Sequence, residues 1–261
     1  MHPLPAPLPV AAPGVTLWSL PAVVGPGDAV RDILVATPPG YDPSRRYPVL
    51  YCQDGQNLLD PATSYAGTHW ALLETLAEQG AAHPAIVVAI PHREVHRITE
   101  YSPFDDIVRG RGEGAAYLHF LVRTVRPAVE AAFAVRRGRR HSALIGSSMG
   151  GLIALYGVTA GAAAFGAAWA MSPALWYAQG RIFDWVRHAP GPVGRIALDI
   201  GLEEGADAVL DVRRMRDLLL DRGWVIGPTL DYREDPEGDH DEASWARRLA
   251  AGWPRFIRWL G

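Results

Sequence analysis

The chain has 261 residues, 49% hydrophobic and 20% charged, with a formal net charge of −3. That length supports one large α/β domain or two small ones, with a core that needs no disulfide staples. The composition excludes a disordered chain, and the small charge leaves no basic field for nucleic acid and no polybasic patch for a membrane. All 25 Lys+Arg positions are arginine, which excludes a P-loop, a Schiff-base or pyridoxal lysine and Ser–Lys catalysis. Cys52 is the single cysteine, so there is no internal disulfide and no cysteine-based zinc cluster. It lies in the apolar run VLYCQDG and reads as a buried thiol. The N-terminus lacks a basic segment followed by an apolar stretch, and no uncharged apolar run reaches the ~18 residues of a membrane span. The expectation is a soluble, cytoplasmic protein with no cofactor, no metal, no nucleic-acid partner and no membrane partner. Nothing in the sequence sets an oligomeric state.

Residues 1–27 carry seven prolines and read as an extended arm, with Val15–Leu20 as a possible edge strand. Residues 28–261 read as a single catalytic domain. Strands are expected at Arg31–Thr37, Pro48–Cys52, Ala85–Ile90, Ser142–Gly146, Gly166–Met171, Arg195–Gly201 and Thr229–Arg233. The continuous apolar run AIVVAI suits a parallel strand buried on both faces. Helical spacing places helices at His69–Gln79, Gly114–Ala134, Met149–Val158, Val209–Arg222 and Ser244–Leu260. Such alternation predicts one mostly parallel sheet with helices on both faces.

GSSMG at Gly146–Gly150 fits G-x-S-x-G with Ser148 at its centre, between an expected strand and an expected helix. A serine exposed on so sharp a turn needs neighbours without Cβ atoms, and the helix after it aims free N–H groups at developing negative charge. A serine hydroxyl also needs a base and a group that orients the base. His240 is the histidine downstream of Ser148 in a loop between a strand and a helix. The acid is expected on the turn after the strand RIALDIG, where Glu204 is favoured and Glu203 and Asp207 are alternatives. Asp199 lies inside the strand and points away from the catalytic edge. Trp176, after MSPAL, is a candidate pocket wall. His92-Arg-Glu-Val-His96 has the wrong order for a helical zinc pair and reads as a loop at the pocket rim with Arg97, Glu100 and Tyr101.

PPGYDPSRRYPVLYCQDGQNLLD at 38–60, RITEYSP at 97–103, LIGSSMGGLIALY at 144–156 and GDHDEASWARRL at 238–249 carry a resemblance. Together they resemble the putative-esterase branch of the α/β-hydrolases, which includes enterochelin-esterase-like, S-formylglutathione-hydrolase-like and feruloyl-esterase-like proteins. The resemblance implies an α/β-hydrolase fold with Ser148 as nucleophile, His240 as base and an acid at the fourth position of Gly201-Leu202-Glu203-Glu204. It also implies an oxyanion hole from the Met149 and Gln56 amides, with Asp54 and Gly55 beside the substrate. Asp54 departs from the commoner pattern, which has histidine there. Glycine at 55 is expected to let that backbone approach the substrate. The implied activity is a serine esterase acting on a small-molecule ester through an acyl-enzyme. The alternatives are an acyltransferase on the same scaffold and a non-catalytic α/β-hydrolase-like binding protein. Sugar acetates, aryl esters, siderophore lactones and thioesters all fit the same apparatus, because loops set the pocket.

Overall fold

The structure is a computed structural model that describes residues 5, 7–9, 12–25, 27, 30–65, 67–160 and 164–261. The expected arm over residues 1–27 falls partly outside them. Its described part contains β1 (Pro7–Leu8) and β2 (Thr16–Val24). The expected edge strand at Val15–Leu20 is therefore longer than anticipated and lies one place in from the edge, between β1 and β3 (Val30–Thr37). Its register shifts between Leu20 and Val23, around Pro21, which has no N–H to give a ladder.

The remaining strands are β4 (Val49–Cys52), β5 (Ile86–Ala89), β6 (Ser142–Ser147), β7 (Ala167–Met171), β8 (Arg195–Gly201) and β9 (Leu230–Asp235). They form one nine-stranded sheet in the order β1-β2-β3-β5-β4-β6-β7-β8-β9. From β5 to β9 neighbouring strands are parallel, and the β1–β3 end joins antiparallel. β4 and β5 are buried at every position, so they read as unbroken apolar runs.

The helices are α1 (Leu72–Gln79), α2 (Arg97–Tyr101), α3 (Gly114–Phe120), α4 (Arg126–Ala132), α5 (Met149–Thr159), α6 (Tyr177–His188), α7 (Ala206–Asp221) and α8 (Glu242–Arg258). The single helix expected over Gly114–Ala134 is α3 and α4 joined by a π-helical turn at Leu121–Val125. Side chains alternate across the sheet into two cores. Val49, Tyr51 and Val88 meet Tyr117 of α3, Leu152 of α5, Ile182 of α6 and Met215 of α7 on one face. Leu50, Cys52 and Trp169 meet Leu76 of α1 and Leu249, Trp253 and Phe256 of α8 on the other. Of α6 only the end is expected from the sequence, with His188 in DWVRHAP closing a helix. Its first turn is broken, with Ala178, Gln179 and Gly180 at φ 50, 54 and 74, so its apolar stripe begins only at Ile182. No helix among the described residues is long and apolar enough to cross a membrane.

Candidate active site

Ser148 joins β6 to α5 at φ 53, ψ −120, a backbone state costing ~1–3 kcal/mol for a residue with a Cβ. Three backbone hydrogen bonds hold it there. Its N–H donates to Met171 O at 3.0 Å, and its carbonyl accepts from Leu152 N and Ala174 N, each at 3.0 Å. A Cβ on Gly146 would lie 2.5 Å from the Gly150 carbonyl, so the turn closes only with glycine at that point. Ser148 is half-buried, whereas Ser147 is buried as the last residue of β6.

The loop after β4 packs against the first turn of α5. Gln53 Cβ and Asp54 Oδ2 each lie 3.1 Å from the place a Gly150 Cβ would occupy. Asp54, at φ 57, donates its N–H to the Tyr101 hydroxyl at 3.1 Å, and Gly55 N donates to Ile90 O at 2.8 Å. The Gln56 N–H and the Met149 N–H have no acceptor among the described residues. The Met149 amide shares this with Gly150 and Gly151, because the first helical bond of α5 is the one from Leu152 N to Ser148 O.

Other expectations for this loop change. At Gly55 the backbone of Ile90 and Pro91 comes within 2.8 Å of the missing Cβ, so packing by itself requires glycine there. The Asp54 carboxylate is buried in a bidentate pair with Arg97, at 2.6 and 2.8 Å. Tyr101 is fully buried and supports Asp54 from below, so it does not line a pocket rim. Glu100 is also buried, paired with Arg31 at 2.6 Å. The His92–His96 stretch forms a short 3-10 turn at Glu94–His96 running into α2. Among the described residues no group of three or more His, Cys, Asp or Glu side chains is gathered to hold a metal.

Across the sheet edge, β8 ends in the turn Leu202–Glu204. Glu204 Oε2 meets His240 Nδ1 at 2.7 Å, whereas Glu203 and Asp207 are exposed and make no bond to that ring. A Cβ on Gly201 would fall 2.2 Å from Gly238 O, and Glu203 N donates to that same oxygen at 3.0 Å. The acid turn and the histidine loop therefore touch backbone to backbone. The Glu204 side chain is 1% exposed and that of His240 45%. Burial pushes the Glu204 carboxyl up, but hydrogen bonds from His240, Ser172 and Gly201 N outweigh it and hold the group below its ordinary range.

Residues outside the motif complete this side. Ser172, one position after Met171 and at φ 41, donates to Glu204 Oε1 at 2.5 Å. Its oxygen accepts from Trp245 Nε1 and Arg248 Nη2, each at 3.0 Å. Trp245 also packs edge-on against the His240 ring, with centroids 5.0 Å apart. Arg248 Nη1 donates to Asp199 Oδ1 at 2.7 Å, and Trp169 Nε1 to Asp199 Oδ2 at 2.6 Å. Burial raises the Asp199 carboxyl to about 6 despite Arg248 and Trp169. A readable signal existed for Arg248. It is an arginine on the apolar stripe of α8, three residues after Trp245 and beside Leu249. Ser172 had no such signal.

Ser172, Trp176, Ala208, Asp211, Glu204 and His240 line a cavity of about 230 Å³. Trp176 is 58% exposed, with the Arg109 guanidinium 5.8 Å from its ring centre. The Ser148 hydroxyl and His240 Nε2 are each without a hydrogen-bond partner among the described residues. The serine turn and the acid meet at one strand end, because Met171 O takes the Ser148 backbone N–H and the next residue, Ser172, holds Glu204.

A family model described as "Putative esterase" matches residues 28–256. The chain belongs to the putative esterase family. It is 26% identical over 184 residues to an uncharacterized protein, YbbA, of Bacillus subtilis (strain 168), covering 68% of this chain and 70% of that one. Among solved structures it resembles the siderophore hydrolase EstA of Aspergillus nidulans, with TM-score 0.74, 22% identity and all of both chains covered. It also resembles the enterobactin esterase FES of Shigella flexneri, with TM-score 0.75, 20% identity, 97% of this chain and 60% of that one. The chain thus spans about 60% of the length of that enterobactin esterase. A ferulic acid esterase matches with TM-score 0.69, 19% identity, 94% of this chain and 98% of that one. The fold is the α/β-hydrolase fold expected, and the family assignment supports carboxylic ester hydrolysis.

Proposed function

We propose that this chain is a serine esterase working through an acyl-enzyme on Ser148. The observation that carries the reading is the Glu204–His240 pair at 2.7 Å, joined through Ser172 and Met171 to a serine held at φ 53. Glu204, held below its ordinary range, accepts from Nδ1–H and leaves Nε2 as the basic nitrogen of His240. With an ester bound, Ser148 Oγ attacks the carbonyl carbon as its proton passes to Nε2. The oxyanion forms against the free Met149 and Gln56 amides, each worth ~3 kcal/mol to the transition state. The imidazolium then gives the proton to the leaving alkoxide. Water enters, loses a proton to Nε2, and releases the acid with Ser148 restored.

The substrate is a small-molecule ester with one end in the cavity beside His240, where Trp176 offers an exposed aromatic wall. Replacing Ser148 with alanine should lower kcat on a p-nitrophenyl ester by on the order of 10⁴-fold or more, with thermal unfolding unchanged. An S148A enzyme with the wild-type rate would refute the reading.

A further inference from the structure

We propose that Arg248, acting through Ser172, is a positioning residue that fixes which carboxylate oxygen of Glu204 faces His240; this rests on the serine-esterase reading above. The last torsion of a glutamate side chain is soft, and its two oxygens are chemically equal. A carboxylate meeting only a histidine could swing away from it. Here Oε1 is taken by Gly201 N at 2.7 Å and Ser172 Oγ at 2.5 Å, with Arg248 Nη2 at 3.4 Å, which leaves Oε2 for Nδ1.

Arg248 makes this arrangement hold. Ser172 Oγ can turn its hydrogen toward several acceptors, but Trp245 Nε1 and Arg248 Nη2 both donate to it at 3.0 Å. With two donors on the oxygen, its own hydrogen has to point at Glu204. The guanidinium is itself oriented by Asp199 at 2.7 Å. Neutralising Asp199 would have required only one side of that fork, yet the other side reaches Ser172 and Glu204. When His240 takes the serine proton, charges alternate along Asp199, Arg248, Glu204 and His240, so the imidazolium completes a balanced row. One helix, α8, supplies both Trp245 against the ring and Arg248 behind the acid, at i and i+3 on the same face. A lysine at 248 would keep the charge and lose the fork that spans Asp199 and Ser172.

The test is steady-state hydrolysis of a p-nitrophenyl ester by wild type, Arg248→Lys, Ser172→Ala, Glu204→Gln and the double variant Arg248→Lys/Glu204→Gln. Ser148→Ala serves as the control. Arg248→Lys should lower kcat about 10- to 100-fold with KM within about twofold, and Ser172→Ala, which leaves every ion pair intact, should lower kcat about tenfold. In the Glu204→Gln background, Arg248→Lys should cost less than about twofold more, because its effect passes through Glu204. Equal losses in both backgrounds would overturn the proposal, as would wild-type kcat in both Arg248→Lys and Ser172→Ala. If Ser148→Ala is inactive while these two variants are wild-type, this inference alone fails. If Ser148→Ala is active, the serine reading fails with it.

Discussion

Ser148 is held in place by backbone, and His240 by side chains. The serine's strained turn is fixed through main-chain bonds to Met171, Leu152 and Ala174 and through the missing Cβ of Gly146. Gly146 and Leu152 lie within four residues of Ser148, and Met171 and Ala174 come from the end of the next strand and the loop after it. The imidazole is exposed and hangs on a carboxylate held in turn by Ser172, with Trp245 and Arg248 arriving from the helix that begins two residues after His240. One half of the site is therefore held by main-chain bonds and depends on close backbone approach. The other is assembled from side chains of three segments, at 172, 204 and 240–248, and depends on polar satisfaction.

The largest effect expected on the side-chain half is Glu204→Gln. Glutamine can still accept from Ser172 and Gly201, but it presents an N–H₂ to Nδ1 and favours the tautomer with its proton on Nε2. kcat should fall on the order of 10³- to 10⁴-fold with little change in KM, measured on a p-nitrophenyl ester. On the backbone half, Gly146→Ala puts a methyl 2.5 Å from the Gly150 carbonyl. It should cost about 1–3 kcal/mol in urea unfolding and lower activity at the same time. A Gly146→Ala enzyme of normal stability and rate would erase the contrast between the halves.

A pH series sharpens the comparison from the side-chain half. Asp199 is raised to about 6 when folded, so the folded state holds its proton more tightly than the unfolded state does. Its contribution to stability is present below the unfolded carboxylate range and is lost as pH rises through about 6. Glu204 runs the other way. Its lowered value contributes stability above the unfolded range, and that contribution is lost as pH falls through its folded value. Asp199→Asn removes the first of these. The unfolding free energy of the variant, minus that of wild type, should become more positive by on the order of 1–3 kcal/mol between pH 4 and 7. A difference that is flat with pH would contradict the assignment. The smallest effect concerns the helix that carries Trp245 and Arg248. Asp241 caps α8 by accepting from Ser244 N at 2.7 Å, and Asp241→Ala should cost about 1 kcal/mol in urea unfolding.

The same division explains what was legible in the sequence. Buried strands such as AIVVAI show themselves as apolar runs, and GSSMG between a strand and a helix shows itself as a turn that needs glycine. Glu204 and His240 are readable because chain order and a following turn confine them. Ser172 is an ordinary serine until the fold places it between β7 and the acid, so nothing local marks it. Arg248 was marked by a charge among apolar helix positions, a pattern that asks for a buried partner without naming it. Tyr101 reads toward the substrate in the sequence, yet burial turns it inward. The start of α6 is not legible because its first turn runs left-handed at Ala178–Gly180 and breaks the helical period.

The central claim is that Ser148 is the nucleophile, activated by the pair across the sheet edge. Incubation with a fluorophosphonate followed by peptide mass mapping tests it most directly. One adduct per chain is predicted, on Ser148, formed far more slowly in Glu204→Gln. An adduct on Ser147 or Ser172 instead, or labelling as fast in Glu204→Gln as in wild type, would contradict it.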